Sequence, residues 1–420
     1  MTRKKTPFDL QKIKEITKTY PTPFVIYDKK WIIENMNYFK NAFSILPWFK
    51  NYFAVKACPN PSIINILKDL WSWADCSSMW ELVLSEKLGI TWENIMFSSN
   101  DTVAEEFKKA HELWAIINFD DISHIDFYKQ KIWTIPQIAC CRFNPGPLKE
   151  WNTIIWKPEE AKYGITKTQI IDAYKKLKNY WVEKFWLHTM VASNELNPDY
   201  FIETAKILFE LITEIEKEVW IEFDFVNLWG WIWIPYKPEQ EKVDLDYVAK
   251  WIKKIYEQIF WTDRKNPIKI VMECGRMITW PYWFLISEAI HVTKKYKDYI
   301  WLDASMQCLM RPALYWAYHH INVLWKENLE NTMTYDVTWS LCENNDKFAI
   351  DRKLPKIDVW DLLVIHDAWA HWTAMWFNYN AKLRPAELLL EENWNVSLIR
   401  RAETLKEYFA TIGWINWFNY

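Results

Sequence analysis

The sequence predicts a (β/α)8 barrel of the TIM type, joined to a second, mostly antiparallel β domain. Within residues 51–275, eight short apolar runs alternate with charged stretches of helical period. After residue 280 the pattern changes to strand-like runs, some of them separated by turn residues. Eight successive strand–helix alternations favour a closed parallel barrel over an open sheet.

The eight apolar runs are the predicted barrel strands. They cover residues 51–57, 73–78, 94–100, 114–121, 137–144, 185–191, 223–229 and 268–275. In the stretches between them, apolar residues recur at i, i+3 and i+4 with Glu and Lys in the gaps, which is typical of amphipathic helices. The clearest of these cover residues 61–70, 79–88, 102–113 and 200–219. We therefore assign residues 30–279 to the barrel.

The remaining residues, 1–29 and 280–420, are predicted to form the β domain. Its C-terminal strands are expected within residues 286–296, 332–343, 360–368 and 386–401. Residues 22–28 read as a strand that lies outside the barrel register. We expect this N-terminal strand to join the β domain.

Composition and length exclude several classes of protein. The 420 residues suggest two domains, or one large barrel with an appendage. With 25% charged residues, 50% hydrophobic residues and a net charge of −3, the chain is neither disordered nor collagen-like. This charge gives no support to nucleic-acid binding.

Targeting signals and metal-binding spacings are not evident. The basic start of the chain is not followed by an apolar stretch, and no apolar run is long enough to span a membrane. The seven Cys are scattered without a CxxC pair, so we expect reduced, mostly buried thiols in a cytoplasmic protein without a metal site.

Polar residues cluster just after the predicted barrel strands. They are Lys56, Asp75, Asn100, Arg142, His188, Asn227, Glu273 and Arg276. In this fold the carboxyl ends of the strands build the catalytic face, so these side chains are predicted to share one rim.

Three features of that rim indicate specific chemistry. Lys56 follows an apolar strand, and burial there would suppress its charge and make its amine nucleophilic. Glu273 ends the last strand, where a carboxylate could pair with a protonated ring nitrogen. Arg276 could grip a phosphate or a carboxylate in bidentate fashion.

Nine motifs, in order, resemble the diaminopimelate decarboxylase family. They are YFAVKACPNP, DCSSMWEL, CRFNPG, AKYG, NLWGWIWIPY, ECGR, LMRPALY, LCENND and FNYN. This family belongs to the alanine-racemase-like (fold type III) enzymes that use pyridoxal 5'-phosphate, and the resemblance runs from about residue 20 to 410. It implies a barrel plus a β domain, as predicted above from the residues.

The resemblance also implies an activity and an assembly. Family members decarboxylate meso-2,6-diaminopimelate to L-lysine and CO2, the last step of lysine biosynthesis, in a homodimer whose active sites are shared across the interface. The implied partners are this small substrate and a second subunit, not nucleic acid or a membrane. Related decarboxylases acting on ornithine, arginine or carboxynorspermidine, and a non-catalytic relative that only binds the cofactor, remain alternatives.

Individual roles follow from the resemblance. Lys56 would carry the cofactor, Glu273 would pair with its pyridinium nitrogen, and Cys342 would lie near the carbon protonated after CO2 leaves. Cofactor contacts are implied for Lys56, Asp75, His188, Met190, Ser193, Trp229, Gly230, Trp231, Glu273, Gly275, Arg276 and Tyr379. Substrate contacts are implied for Arg276, Arg311, Tyr315, Glu343 and Tyr379. Cys342 and Glu343 would reach into the partner's site.

Three positions depart from the family pattern. Met190 stands where a His usually stacks on the cofactor ring, so either Met190 or His188 is expected to take that position. Ala192-Ser193 replaces a Gly-Ser pair, and residues 342–344 read CEN instead of CES. These departures affect details of ring and phosphate binding rather than the reaction class.

The counts of 6 Gly and 31 Trp are both far from ordinary usage. Where the Trp residues align with the family, the family has Gly. If Trp is read as Gly, residues 227–236 become a glycine-rich loop whose N–H groups can cradle a phosphate. We therefore hypothesise that UGA codons for Gly are rendered here as Trp.

Overall fold

The computed structural model describes residues 4–148, 158–190, 196–230, 232, 234–260, 264–368 and 375–411. The chain divides into two compact units, which we call the barrel unit (residues 33–234 and 242–278) and the β unit (residues 1–32, 235–241 and 279–420). No helix in the described part of the chain is long and apolar enough to cross a membrane.

A closed parallel barrel forms the first unit, as the sequence predicts. The first nine strands in chain order are β1 (Phe24–Asp28), β2 (Lys50–Ala54), β3 (Ser72–Cys76), β4 (Ile95–Phe97), β5 (Ile116–Phe119), β6 (Ile138–Phe143), β7 (Lys184–Thr189), β8 (Phe223–Asn227) and β9 (Lys269–Met272). Strands β2 to β9 pair in sequence order, and β9 closes the barrel on β2. Each of the eight predicted barrel strands is confirmed.

Helices connect consecutive strands of the barrel, and further helices lie elsewhere in the chain. Several of the helices begin with residues that cap a helix well. The helices are α1 (Leu10–Thr17), α2 (Lys29–Phe43), α3 (Pro61–Asp69), α4 (Met79–Lys87), α5 (Ala104–Glu112), α6 (Ile122–Ile132), α7 (Lys167–Asn179), α8 (Pro198–Val219), α9 (Leu245–Ile259), α10 (Arg276–Thr279), α11 (Arg311–Tyr315) and α12 (Leu405–Tyr408). Asn60 and Asn197 each accept a hydrogen bond from the first turn of the following helix, and each is followed by Pro, which suits the first helical position.

The barrel interior is filled with side chains. Strands β2 and β4 to β9 each contribute one buried residue to a single cluster, namely Tyr52, Met96, Ile116, Cys140, Trp186, Phe225 and Val271. Such a layer is what the inward-facing positions of a small barrel require. The interior is therefore a packed core, and a ligand has room only at a rim.

Strand register brings polar residues to one level of the carboxyl rim. Arg142 of β6 lies opposite His188 of β7, and His188 lies opposite Asn227 of β8. All three side chains are buried.

The β unit is built on a nine-stranded sheet that includes the N-terminal strand, as predicted. The remaining strands are β10 (Trp283–Lys294), β11 (Asp298–Leu302), β12 (Ile321–Val323), β13 (Met333–Thr338), β14 (Lys347–Leu354), β15 (Leu362–His366), β16 (Ala386–Leu390) and β17 (Val396–Arg400). Strand β1 pairs antiparallel with β10 and parallel with β16. Most other pairings are antiparallel, and β11 with β13 is a further parallel pair.

Candidate active site

Lys56 lies among three carboxyl groups, of which Asp75 and Glu81 are buried and Glu273 is partly buried. It sits half-buried in the turn that follows β2, and its charge acts on Asp75, Glu81 and Glu273. Burial raises the pKa of Asp75 well above its usual range, and repulsion from Glu273 adds to this effect. Burial also raises the pKa of Glu81. Asp75 and Glu81 therefore hold a proton more readily than an exposed carboxyl group does.

Glu273 is the carboxylate that stays ionised. The Asn227 side-chain amide donates a 2.6 Å hydrogen bond to its Oε1, and Nε2 of His188 lies 3.4 Å from its Oε2. Burial alone would raise the pKa of Glu273, but its contacts with His188 and the charges of Lys56 and Arg142 outweigh burial and lower it. The Glu273 carboxylate can therefore accept a hydrogen bond from a protonated ring nitrogen of a bound ligand.

A second hydrogen bond fixes the orientation of His188. The Asn118 amide donates to Nδ1 of His188 over 3.1 Å and to the hydroxyl of Ser98 over 3.0 Å. With Nδ1 accepting, the imidazole proton is on Nε2, which faces Glu273. Burial lowers the pKa of His188, which keeps the ring neutral near pH 7.

Arg142 acts on Glu273 only through its charge, because its direct partners are other residues. Its guanidinium donates to Oδ1 of Asn100 at 2.5 Å and pairs with Asp120 at 3.0 Å, and both Arg142 and Asp120 are buried. Of the predicted rim residues, Arg142 therefore forms an ion pair with Asp120, and Asn100 adds a hydrogen bond to it.

Close backbone packing shapes the rim next to Glu273. A Cβ on Gly230 would lie 2.0 Å from the carbonyl carbon of Glu273, so this position excludes every side chain. A Cβ on Gly275 would lie 2.8 Å from the Cβ of Ala57. Trp229 precedes Gly230 and its N–H donates a 3.0 Å hydrogen bond to the Asn227 side chain.

The other cofactor residues implied by the sequence are partly placed. Met190 directly follows β7 and is half-buried, while Arg276 begins α10 and is buried. Ser193 and Trp231 lie outside the described residues. Among the remaining rim residues, Glu81, Asn118 and Asp120 were not identified from the sequence.

A second group of predicted residues lies together in the β unit. Hydrogen bonds connect α11, the loop after β13 and the turn before β16. Asn345 donates to the carbonyl of Ala313, and the Cys342 N–H donates to Oδ1 of Asn380 over 2.8 Å. Gln307 donates to the carbonyl of Tyr379 over 2.6 Å. Arg311, Tyr315, Cys342, Glu343 and Tyr379 are carried by these three segments.

Exposure divides this second group. Tyr315, Cys342, Glu343 and Tyr379 are exposed, whereas Arg311 is buried with its guanidinium 5.1 Å from the ring centre of Tyr236. Nη1 of Arg311 has no hydrogen-bond partner among the described residues. Cys342 is the one exposed thiol, and the other six Cys are buried as expected.

Asp346 organises the loop that carries Cys342 and Glu343. It is buried, and its carboxylate accepts the N–H of Met306 at 2.7 Å and of Leu341 at 3.0 Å. Its carbonyl accepts the Thr338 hydroxyl at 2.6 Å. Asp346 is not among the residues predicted from the sequence, although it ends the LCENND motif.

Comparisons with known proteins agree with this arrangement. Residues 29–280 match the family model for the pyridoxal-binding domain of pyridoxal-dependent decarboxylases. Protein TabA of Pseudomonas amygdali pv. tabaci is 36% identical over 400 residues, which cover 95% of this chain and 93% of TabA. The diaminopimelate decarboxylase of Methanothermobacter thermautotrophicus is 28% identical over 397 residues, or 94% of this chain and 92% of that enzyme.

A solved structure is similar over the whole chain. The diaminopimelate decarboxylase of M. jannaschii in co-complex with L-lysine superposes with a TM-score of 0.88 at 25% identity, covering 99% of both chains.

Proposed function

Because this chain belongs to the pyridoxal-dependent decarboxylases, we propose that it converts meso-2,6-diaminopimelate to L-lysine and CO2. Its cofactor is pyridoxal 5'-phosphate. The observation that carries the proposal is that the charge of Lys56 acts on Glu273 at one barrel rim and lowers the pKa of Glu273, in a chain that matches diaminopimelate decarboxylases along nearly its whole length.

The residues at the rim fit this cofactor. Lys56 supplies an amine for its aldehyde, and the ionised Glu273 supplies an acceptor for its protonated ring nitrogen. Oδ1 of Asp75 is buried without a hydrogen-bond partner among the described residues, which leaves it available to a ligand. Arg276, which begins α10, is suited to a phosphate.

The chain's own groups then have definite tasks in decarboxylation. When bound, the cofactor supplies an electron sink for the electron pair left as CO2 departs. Glu273 would hold the ring nitrogen in its protonated form, and the neutral His188 and Asn227 keep Glu273 in place. The amine of Lys56 would hold the cofactor at this rim.

Residues of the β unit would bind the substrate and supply a proton. In our proposal, Cys342 delivers the proton that replaces the carboxyl group, and Glu343 binds the ammonium group at the far end of the substrate. Arg311 would bind the carboxylate there, because its Nη1 is buried without a protein partner in the described chain. We propose that the exposed Cys342 and Glu343 act in the site of a second copy within a homodimer.

A second candidate is decarboxylation of a different amino acid. The identity to TabA, 36%, exceeds the 28% identity to the Methanothermobacter diaminopimelate decarboxylase, so the comparisons do not single out meso-diaminopimelate as the substrate. Ornithine, arginine and carboxynorspermidine lack the remote amino-acid group, so they would not require both Arg311 and Glu343.

Substrate turnover tests the proposal. Purified protein loaded with pyridoxal phosphate is given meso-diaminopimelate, ornithine or arginine, and CO2 and the amine product are measured. We expect lysine from meso-diaminopimelate alone, with Lys56→Ala as the inactive control. Turnover of ornithine or arginine only would contradict the proposal. Forms with Trp and with Gly at the Trp positions are both assayed, so that a folding failure is not taken for inactivity.

A further inference from the structure

We infer that the natural protein carries glycine at the positions where this sequence has tryptophan. These positions would be encoded by UGA codons that a glycine-charged tRNA decodes. The backbone supports this independently of composition. Among described residues, seventeen that are not Gly have positive φ, and twelve of them are Trp. The other five are Asp101, Asp351, Asp367, Asn380 and Ala381. Asp and Asn tolerate this left-handed conformation, but a bulky aromatic residue rarely adopts it.

Three helix ends permit a direct comparison of Gly with Trp. After α4, Gly89 (φ 70°) donates to the carbonyl of Glu86 at 2.9 Å, and the next residue donates to Ser85 at 2.9 Å. After α5, Trp114 (φ 56°) and its successor form the same pair of bonds, at 2.9 and 3.0 Å. After α7, Trp181 (φ 66°) and its successor do so at 2.9 and 3.2 Å. This is the helix-ending motif in which glycine is strongly preferred.

Other helices end in the same conformation. Trp133 ends α6 and Trp220 ends α8 in the left-handed region, each donating to the carbonyl four residues back. Trp316 ends the short α11 with φ 54°. Tryptophan thus occupies the glycine position at several helix ends. These positions require a backbone conformation that glycine adopts easily, and they have no need of an aromatic ring.

Eleven of the twelve left-handed Trp have exposed rings, which gain little packing energy in return for the strained backbone. Trp133, Trp181 and Trp220 are 89%, 87% and 84% exposed. Large aromatic side chains are normally well buried. Of the twelve left-handed Trp, Trp229 is the one that is buried, with its ring stacked on Phe201.

The glycines that the printed sequence retains show the same requirement. Gly89, Gly146 and Gly164 have positive φ, and Gly230 and Gly275 stand where a Cβ would lie within 3.0 Å of other atoms. Trp229 is left-handed directly beside Gly230. Gly89, Gly146 and Gly164 therefore share one backbone conformation with the left-handed Trp, which is expected if they are one amino acid encoded by two kinds of codon.

Peptide masses test the inference without dependence on folding. The protein isolated from its own organism is digested, and peptides that contain residues 114, 181 and 220 are sequenced by mass spectrometry. We expect glycine at all three positions and UGA at the matching codons. Tryptophan in those peptides, or UGG in the gene, would overturn the inference.

Paired variants test the physical reason. Trp114, Trp181 and Trp220 are replaced together by Gly in one variant and by Ala in another. Both remove the exposed rings, but only Gly relieves the left-handed strain. We expect a higher melting temperature for the Gly variant than for the Ala variant and than for the chain with Trp at these positions. Equal melting temperatures would contradict the argument from φ.

Discussion

Nε2 of His188 lies 3.4 Å from Oε2 of Glu273, and the Asn118 amide on the opposite side of the imidazole determines that Nε2 carries the proton. A neutral His thereby supports a buried carboxylate without adding a charge. This relay connects β5, β7 and the residue that follows β9, so the barrel itself orients the acid that we propose as the partner of the cofactor ring.

Replacing Glu273 by Gln should remove the charge while keeping the shape. We expect kcat to fall by about 10²–10³-fold, because a pre-positioned electrostatic group is lost. Steady-state kinetics with meso-diaminopimelate measures the effect. Glu93→Gln is the matched control, because Glu93 pairs with Lys184 at 3.1 Å on the surface. Equal losses in both variants would disprove a role for the Glu273 charge.

Replacing Asn118 by Asp should reverse the His188 tautomer. A carboxylate there would draw the proton to Nδ1, so that an unprotonated Nε2 would face Glu273. We expect a lower kcat, with nitrogen NMR of the imidazole reporting the changed tautomer. Ser98→Ala, which removes only the other hydrogen bond of Asn118, should keep the parental tautomer. An unchanged tautomer in Asn118→Asp would refute the relay.

Replacing Asp346 by Asn should loosen the loop that carries Cys342. The amide can accept only one of the two N–H bonds made to the carboxylate, so a buried donor is left unsatisfied. We expect a loss of about 1–3 kcal/mol in the free energy of unfolding, measured by urea titration, and a lower kcat. The exposed Asp351, which pairs with Lys297 at 2.7 Å, provides the Asp351→Asn control, with a loss below about 1 kcal/mol.

Asp367 should make stability depend on pH. Burial raises its pKa to about 6, even though Lys4 pairs with it and Arg311 lies near. Because the folded pKa exceeds the unfolded value of 3.8, the folded state holds the proton more tightly. Stability from this group is complete below pH 4 and is lost as pH rises through 6, by about 3 kcal/mol in all.

Urea unfolding from pH 4 to pH 7 measures this effect. Asp367→Asn should lack the decline seen in the parent chain over that range. Asp358→Asn is the contrasting control, because a hydrogen bond from Lys326 lowers the pKa of Asp358 and gives its contribution the opposite sign. A parent and an Asp367→Asn variant with parallel pH profiles would count against a raised pKa.

The barrel was predictable because its strands are continuous apolar runs that end in polar residues. Lys56, Asp75 and Glu273 each follow such a run, and the charge of Lys56 acts on both carboxyl groups in the folded chain. Glu81 was missed because it lies in the first turn of α4, where an acidic residue is ordinary. Asn118 was missed because it lies within β5 and not after it.

The β unit was predictable in outline only. Strand β12 has three residues, too few for an alternating pattern, and the parallel pairing of β1 with β16 joins segments far apart in the chain. The role of Asp346 depends on Met306, a residue of a different segment, so local sequence contains no sign of it. Long-range hydrogen bonds of this kind become visible only in three dimensions.

The contact between Gly230 and the backbone of Glu273 limits which residue position 230 can hold. Since a Cβ on Gly230 would lie 2.0 Å from the Glu273 carbonyl carbon, any other residue would push the two backbone segments apart. The Glu273 side chain, which accepts a 2.6 Å hydrogen bond from Asn227, belongs to one of these segments. Even the smallest substitution, Gly230→Ala, would therefore disturb the position of this carboxylate without changing any polar group.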